Sequence, residues 1–379
     1  MKKHSVKKKI FFLLLTILLF IYLLWLGYHL LSFKTYRPPP KSFLSEVVGA
    51  YHLHSKYSDG RKNVEKIIKI AAGSALDFII LTDHGSPNYE CLQSQGWKEG
   101  LLVLAGSELS VSRGHLVGLA FDEPSRPFSQ NAEEAAKQIR RLKGFSIIAH
   151  PFSKAQWSWG KSVPYQGMEI ISGDSMLKKN FLSSLPYLPA LLLMPEYALI
   201  KMIDPPQQNL IKWDELNNDH SLYGYFSLDA HLLYKPLLSL LRLHLLLEKP
   251  LPPDFQTARR EVFDALRKGK FYCAIEAAAE ARGFRFWAKK REETSPMGKT
   301  LLLDSPVTLL VRAPFPFAKE IHLVHNGKTI LRSHKRRMTF QTEQPGTYRV
   351  EVYLKEKTPL NKKAPWIISN PIFLREEKK

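Results

Sequence analysis

Cysteine is scarce in this chain. Cys91 and Cys273 are the two present among 379 residues, which excludes a disulfide scaffold and any cysteine-rich zinc module. Whether these two pair with each other is left open by the sequence. Acidic residues are also few, 35 against 55 lysines and arginines, giving a formal charge of +20. Setting aside Lys2, Lys3, Lys7, Lys8 and Lys9 still leaves a basic remainder, which attracts anionic lipid or phosphorylated substrates and equally serves as a solvated face. No arginine-rich run with interleaved aromatics is present, so the charge carries no nucleic-acid-binding signature. Gly-x-Ser-x-Gly is absent, and with it the nucleophile elbow of serine hydrolases.

Charge is missing altogether from residues 10–33, roughly 24 positions, where about 20 apolar residues suffice to cross a hydrocarbon core as a helix. The five lysines before it place the N-terminus on the cytoplasmic side and the remainder outside. A cleaved signal peptide is the alternative, but its apolar region is about 7 to 15 residues and ends in a small-residue cleavage site. Here a longer stretch runs into Phe33-Lys34-Thr35-Tyr36-Arg37, so a signal anchor is expected. Pro38-Pro39-Pro40 then stiffens the exit, with Lys34, Arg37 and Lys41 at headgroup level. The expected division is a basic tail over 1–9, an anchor over 10–33, a linker over 34–46 and two soluble units over 47–280 and 281–379.

The first soluble unit alternates strand and helix patterns. Val47 to Tyr51 reads as a strand; Val64, Ile67, Ile68 and Ala71 follow helical spacing, with Asn63 as cap and Gly73 as stop; Asp77 to Leu81 reads as a buried strand. Together they form a βαβ unit. Leu101 to Gly106 and His115 to Phe121 are too close for a crossover helix and must be a hairpin or one bent strand. Asn131 to Lys143 is the clearest helix, with Glu134 completing a capping box, and it leads into the strand Phe145 to Ala149. Gly167 to Ile171 and Tyr225 to Leu228 are further strands.

Metal-ligand side chains gather at the ends of these strands. His52 and His54 are two apart, so on an extended strand they share a face and can grip one ion. His84, Glu108, His150, and Asp229 with His231 each follow a separate hydrophobic strand at its C-terminal end, the edge that carries chemistry in α/β barrels. Imidazoles and carboxylates without thiolates suit zinc, manganese or iron. The set exceeds what one tetrahedral ion needs, so about two or three ions are expected, with Asp59 or Glu108 bridging and a metal-activated water as the attacking species.

In order along the chain, His52-x-His54 with Ser58-Asp59-Gly60, Thr82-Asp83-His84, Gly106-x-Glu108, Ala149-His150-Pro151 and Asp229-x-His231 resemble the polymerase and histidinol phosphatase (PHP) domain superfamily. The resemblance spans about Val47 to Glu276. It implies an α/β fold, a distorted (β/α)7 barrel with a trinuclear metal cluster that usually hydrolyses phosphoesters. It also implies His52, His54, Asp59, His84, Glu108, His150, Asp229 and His231 as ligands. His115 matches a histidine often seen after the family's glutamate and is a candidate further ligand or phosphate contact; Lys56 and Arg113, near ligand motifs, are candidate substrate contacts.

From Ser305 to Arg375, short alternating strands such as Val307-x-Leu309-x-Val311 and Tyr348-x-Val350-x-Val352 suggest a small β-sandwich. Residues 365–372 resemble the ending of the carbaryl-hydrolase-like branch, whose members carry a sandwich after the barrel, are often exported, and include a carbamate hydrolase. Three functions therefore stand side by side: a membrane-anchored phosphoesterase acting on an anionic substrate, a carbamate, ester or amide hydrolase with the same metals, and a non-catalytic metal-stabilised binding module. The apolar stretch 181–203, broken by Pro186, Pro189 and Pro195, is expected as an insertion near the active-site mouth that touches the bilayer. Leu232 to Leu247 is expected as a core helix, since Leu237, Leu240, Leu241 and His244 keep helical register. Oligomeric state is not legible.

Overall fold

A computed structural model describes residues 2–33, 46–153, 157–160, 162, 164–314, 318–354 and 358–376. The expected proline linker and its flanking basic residues lie outside these. The chain is a mixed α/β protein: one large sheet, a second antiparallel sheet of four strands, and an N-terminal apolar helix, α1 (Lys2–Ser32). Within α1, the 26-residue stretch Lys7–Ser32 contains an 18-residue window of mean hydropathy 2.7, long and apolar enough to cross a membrane, a test that an N-terminal signal sequence also passes.

The strands that position the site are, in chain order, β1 (Glu46–Leu53), β2 (Phe78–Leu81), β3 (Leu101–Val111), β4 (Gly114–Leu119), β5 (Phe145–Ala149), β6 (Gly167–Ser172) and β7 (Tyr223–Ser227). β1, β2 and β3 are parallel neighbours; β4 returns antiparallel between β3 and β5; β5, β6 and β7 are again parallel. The 101–121 stretch is thus a hairpin, with Glu108 opposite Val117. The chain beyond β7 comes back onto β1: Leu228 N–H donates to the Tyr51 carbonyl at 2.9 Å, and His54 N–H to the Ala230 carbonyl at 3.1 Å. The C-terminal ends of β1, β2, β5 and β7 therefore meet on one edge.

Local chemistry explains the helices between them. α2 (Val64–Ala72) buries Val64, Ile67, Ile68 and Ala71, and the Asn63 side chain accepts from Lys66 N–H as its cap. α3 (Ala132–Arg141) is capped by Asn131, which accepts from the amides of Glu133 and Glu134, and it buries an alanine face with Ile139. β6 runs directly into α4 (Gly173–Asn180), and the 181–203 stretch continues as a 3-10 turn, α5 (Leu188–Leu193) and α6 (Pro195–Lys201).

Two expectations need correction here. The helix expected over 232–247 stops early: α7 is Tyr234–Leu240, and Leu241–Leu246 is a strand, β8, antiparallel to β1. Leu-Arg-Leu-His-Leu-Leu is apolar enough for either form, but the exposed edge of β1 offers backbone partners that a helix would leave unpaired. Second, His52 and Glu108 do not follow strands but lie inside them, His52 at a bulge between Tyr51 and Leu53 in β1 and Glu108 within β3.

β8 pairs onward with β9 (Phe271–Ile275), which pairs with Ile367–Ser369, so the large sheet runs without a break from the first soluble unit into the C-terminal strands. The second sheet contains Arg285–Lys290, Glu293–Pro296, Val307–Arg312 and Arg337–Thr342, and it buries Val307, Leu309 and Val311 on one face. Cys91 and Cys273 are both free and buried, so the two thiols do not pair.

Candidate metal centre

Glu108 is the hub of the candidate site. It is buried, and one of its carboxylate oxygens lies 2.9 Å from His115 Nδ1 and 3.0 Å from His150 Nε2. The other lies 3.1 Å from His52 Nε2, 3.1 Å from His54 Nε2 and 3.4 Å from His84 Nδ1. Asp229 faces the same point, with Oδ1 3.6 Å from His52 Nε2 and 3.5 Å from His54 Nε2. Nearer solvent, Asp59 lies 3.2 Å from His231 Nε2, 3.6 Å from His54 Nδ1 and 3.8 Å from His84 Nε2.

Three groups of donors emerge, each with ligand atoms within 4.8 Å of one another: His52, His54, Glu108 and Asp229; His54, Asp59, His84 and His231; and His84, Glu108 and His115. The first group is buried and the others open outward, Asp59 being 56% exposed. The eight ligand candidates are thus brought together, with His115 as a ninth. Arg113 is not: its guanidinium donates to the Trp159 carbonyl and lies 3.5 Å from Glu133. Lys56 is exposed, two residues after His54.

The donor set fits divalent metal. His52 Nε2, His54 Nε2, His84 Nδ1 and His115 Nδ1 are buried without a hydrogen-bond partner, although each is 2.9–3.4 Å from a Glu108 oxygen. Close approach without hydrogen-bond alignment is what ligands around a shared ion show: tetrahedral bonds of about 2.0–2.1 Å put neighbouring donors about 3.3 Å apart. Four unpaired imidazole nitrogens in one buried place would otherwise each carry a desolvation cost of about 1–3 kcal/mol.

Electrostatics point the same way. Burial opposes charge on Glu108 and on His52, yet their mutual attraction wins: the carboxyl is held well below its usual range and the imidazole well above its own. His54 is pushed up to about 9 against burial by Asp229 and Glu108, and Asp229 is held low by His52 and His54. Burial lowers His84. The buried carboxylates Glu108 and Asp229 thus favour positive charge beside them, which divalent ions would supply in place of protons on the imidazoles.

The backbone is held in unusual conformations at these residues. His52, His150 and Asp229 have φ values of 69°, 26° and 51°, each costing about 1–3 kcal/mol for a non-glycine residue. The bulge at His52 re-aims that ring so that it stays 5.1 Å from the His54 ring, centroid to centroid.

Two supporting carboxylates were missed by sequence reasoning. Glu169, buried in β6, accepts from His52 Nδ1 at 2.7 Å and from the His150 amide at 2.8 Å, so it fixes one imidazole tautomer and one loop at once. Its only signal was a lone acid in Gly-Met-Glu-Ile-Ile. Asp83, buried, accepts from Ser55 N–H, Ser55 Oγ and Ser58 Oγ at 2.6–2.8 Å, which pins the loop carrying Asp59.

No protein-family model and no curated protein matches the sequence. Among solved structures, a two-domain protein from Bacteroides vulgatus predicted to contain a PHP-like metal-dependent phosphoesterase aligns over 89% of this chain and 98% of its own, at 13% identity and a TM-score of 0.45. A protein from Bifidobacterium adolescentis assigned as a metal-dependent phosphoesterase aligns over 60% of this chain and 97% of its own, at 13% identity and TM-score 0.34. An amidohydrolase from Chromobacterium violaceum, with bound sulfate and no metal, aligns over 48% and 87%, at 19% identity and TM-score 0.30. Likenesses this distant leave the chemistry to be read from this chain's own residues.

Proposed function

We propose that this chain is a membrane-anchored, metal-dependent phosphoesterase built on a distorted (β/α)7 barrel, with its catalytic unit outside the cytoplasm. The observation that carries the reading is the convergence of unpaired imidazole nitrogens on Glu108 and Asp229. His52, His54, Glu108 and Asp229 would hold a buried ion; Asp59, His84 and His231 a more open one; Glu108, His115 and His150 the neighbourhood of a third. Such ions supply Lewis acidity to a phosphoryl oxygen and acidify water.

The chain's own groups do the positioning. Glu169 takes the His52 Nδ1 proton in hydrogen bonding, which leaves Nε2 as the inward donor atom. His231 Nδ1 is held by the Asp229 carbonyl at 2.9 Å, presenting Nε2 towards Asp59. Between the open donors a phosphoester can enter from solvent while His52, His54 and Glu108 stay dry.

The test uses full-length protein in detergent, loaded with manganese or zinc, on an aryl phosphate, a bis-aryl phosphodiester and an aryl carbamate. A phosphorus ester should be cleaved fastest, and His52→Ala/His54→Ala should lose at least about 100-fold. Preferential carbamate cleavage would move the assignment to the other bond. Equal rates for wild type and the double variant would remove the enzyme reading.

A further inference from the structure

The 181–203 insertion packs against α1 far below the helix end. Tyr22 Oη donates to the Pro186 carbonyl at 2.7 Å, the Trp25 and Tyr187 rings lie 5.6 Å apart, and the Phe33 and Tyr197 rings 5.5 Å apart. Leu26 and Phe33 are buried, whereas most of α1 is exposed. Tyr22 precedes Ser32, the last residue of α1, by ten positions, or about 15 Å at 1.5 Å per residue. That is half of a hydrocarbon core of about 30 Å. If α1 spans a membrane, Pro186 sits within the outer leaflet.

The residues around Pro186 suit that depth. Leu182 is 76% exposed, Leu192 89% and Leu193 71%, with Phe181 and Leu185 also exposed. In water this is a costly patch; in acyl chains it costs nothing. Lys201 lies over the Tyr187 and Tyr197 rings at 5.7 and 6.0 Å, and Lys179 lies 3.6 Å from Asp204, an amphipathic border of the kind found at headgroup level.

The segment that leads into the insertion, α4, starts beside the candidate metal centre. α4 follows β6 directly, and the Asp174 amide donates to the Leu228 carbonyl, one residue before Asp229. Lys178 on α4 pairs with Asp174. Across the mouth, Leu232 and Leu233 follow His231 at once and are exposed, and Leu233 is held at a φ of 53°. Exposed leucines thus stand both in the insertion and directly after the outer donor His231.

We propose that the substrate is a bilayer-resident amphiphile whose phosphate-ester headgroup enters the metal centre from the outer leaflet while its acyl chains stay against the insertion. This rests on the phosphoesterase reading and names the substrate class for that site. The proposal also needs α1, which supplies the contacts of Tyr22 and Trp25, to stay attached.

The test reconstitutes the full chain, manganese-loaded, in phosphatidylcholine vesicles containing phosphatidate and phosphatidylglycerol. Leu193→Cys and, as a control in the C-terminal strands, Ile330→Cys are labelled with an environment-sensitive fluorophore, Cys91 and Cys273 being buried. Nitroxide-bearing lipids should quench the label at 193 and leave that at 330 unquenched. Leu182→Asp/Leu193→Asp should keep its rate on a dispersed aryl phosphate within about twofold and lose about tenfold or more on a lipid ester. An unquenched label at 193, equal loss on both substrates, or cleavage of the aryl phosphate with neither lipid touched would overturn the proposal. Hydrolysis of none of the esters would overturn the phosphoesterase reading itself, and the substrate claim with it.

Discussion

Glu169 shows how much of this centre depends on a side chain that faces no metal. Its carboxylate ties β1 to the turn after β5 through His52 and the His150 amide. Glu169→Gln keeps the shape but offers an N–H where one of the two bonds needs an acceptor. It should weaken metal binding by about 10- to 100-fold with the circular dichroism spectrum unchanged; unchanged affinity in a metal titration would make Glu169 a packing residue only. Most of the candidate ligands were legible in sequence because each is a His, Asp or Glu at or near an apolar strand, Asp59 in its loop being suggested by the family resemblance. Glu169 was not, since its value lies in a hydrogen bond to a residue 117 positions away, a partner that no local pattern reveals.

Among the elements, the loop from His54 to Gly60 and the strand β8 carry separate lessons. A Cβ on Gly60 would stand 2.4 Å from the His54 carbonyl oxygen and 2.7 Å from the Ser55 nitrogen, both backbone. Gly60→Ala should therefore shift Asp59 and destabilise the fold by about 1–3 kcal/mol, measured by denaturant unfolding of the metal-free protein. The sequence marked this glycine as a turn but not as a contact. β8 was misread as helix because its pairing with β1 is long-range, and its His244 looked like one more helical position. In the fold His244 donates to Glu46 Oε1 and Glu276 Oε2, both at 3.0 Å, and stacks on Tyr272. Burial opposes its charge, but Glu276 and Glu46 outweigh burial and raise it from 6.5. Glu46, against its own burial, is lowered from 4.5 to about 2 by His244, Arg285 and Tyr272. The histidine's contribution is complete below pH 6.5 and is lost as pH rises through its raised value; the glutamate's is complete above pH 4.5 and is lost as pH falls towards about 2. The gap in thermal midpoint between wild type and His244→Gln should be widest between those limits, and a gap independent of pH would contradict the network.

At the scale of the whole molecule, the C-terminal strands are part of what holds the site. The Asn370 side chain bonds the Gly224 amide at 2.8 Å and the Phe271 carbonyl at 3.1 Å, and Trp366 Nε1 donates to the Ala279 carbonyl at 2.9 Å. The Pro365–Ile372 stretch that stood out in the sequence thus buttresses β7, the strand leading to Asp229 and His231. Removing residues 281–379 should leave an insoluble or unfolded product rather than a smaller enzyme, as judged by size exclusion and circular dichroism. That continuity was hidden from the sequence, where motifs ending near Glu276 and short alternating strands from Ser305 suggested two units. The alternation of short strands was visible; the sheet they would join was not.

The central claim is that the ends of β1, β2, β5 and β7, one loop and the interior of β3 assemble a multi-ion centre around Glu108. The most direct measurement is metal content per chain of full-length protein after saturation and gel filtration, for wild type and Glu108→Gln. The account predicts about two to three tightly held divalent ions in wild type and at least one fewer in the variant, since Glu108 faces five histidines. A wild type holding no ion or one, or a variant holding as many as wild type, would contradict it.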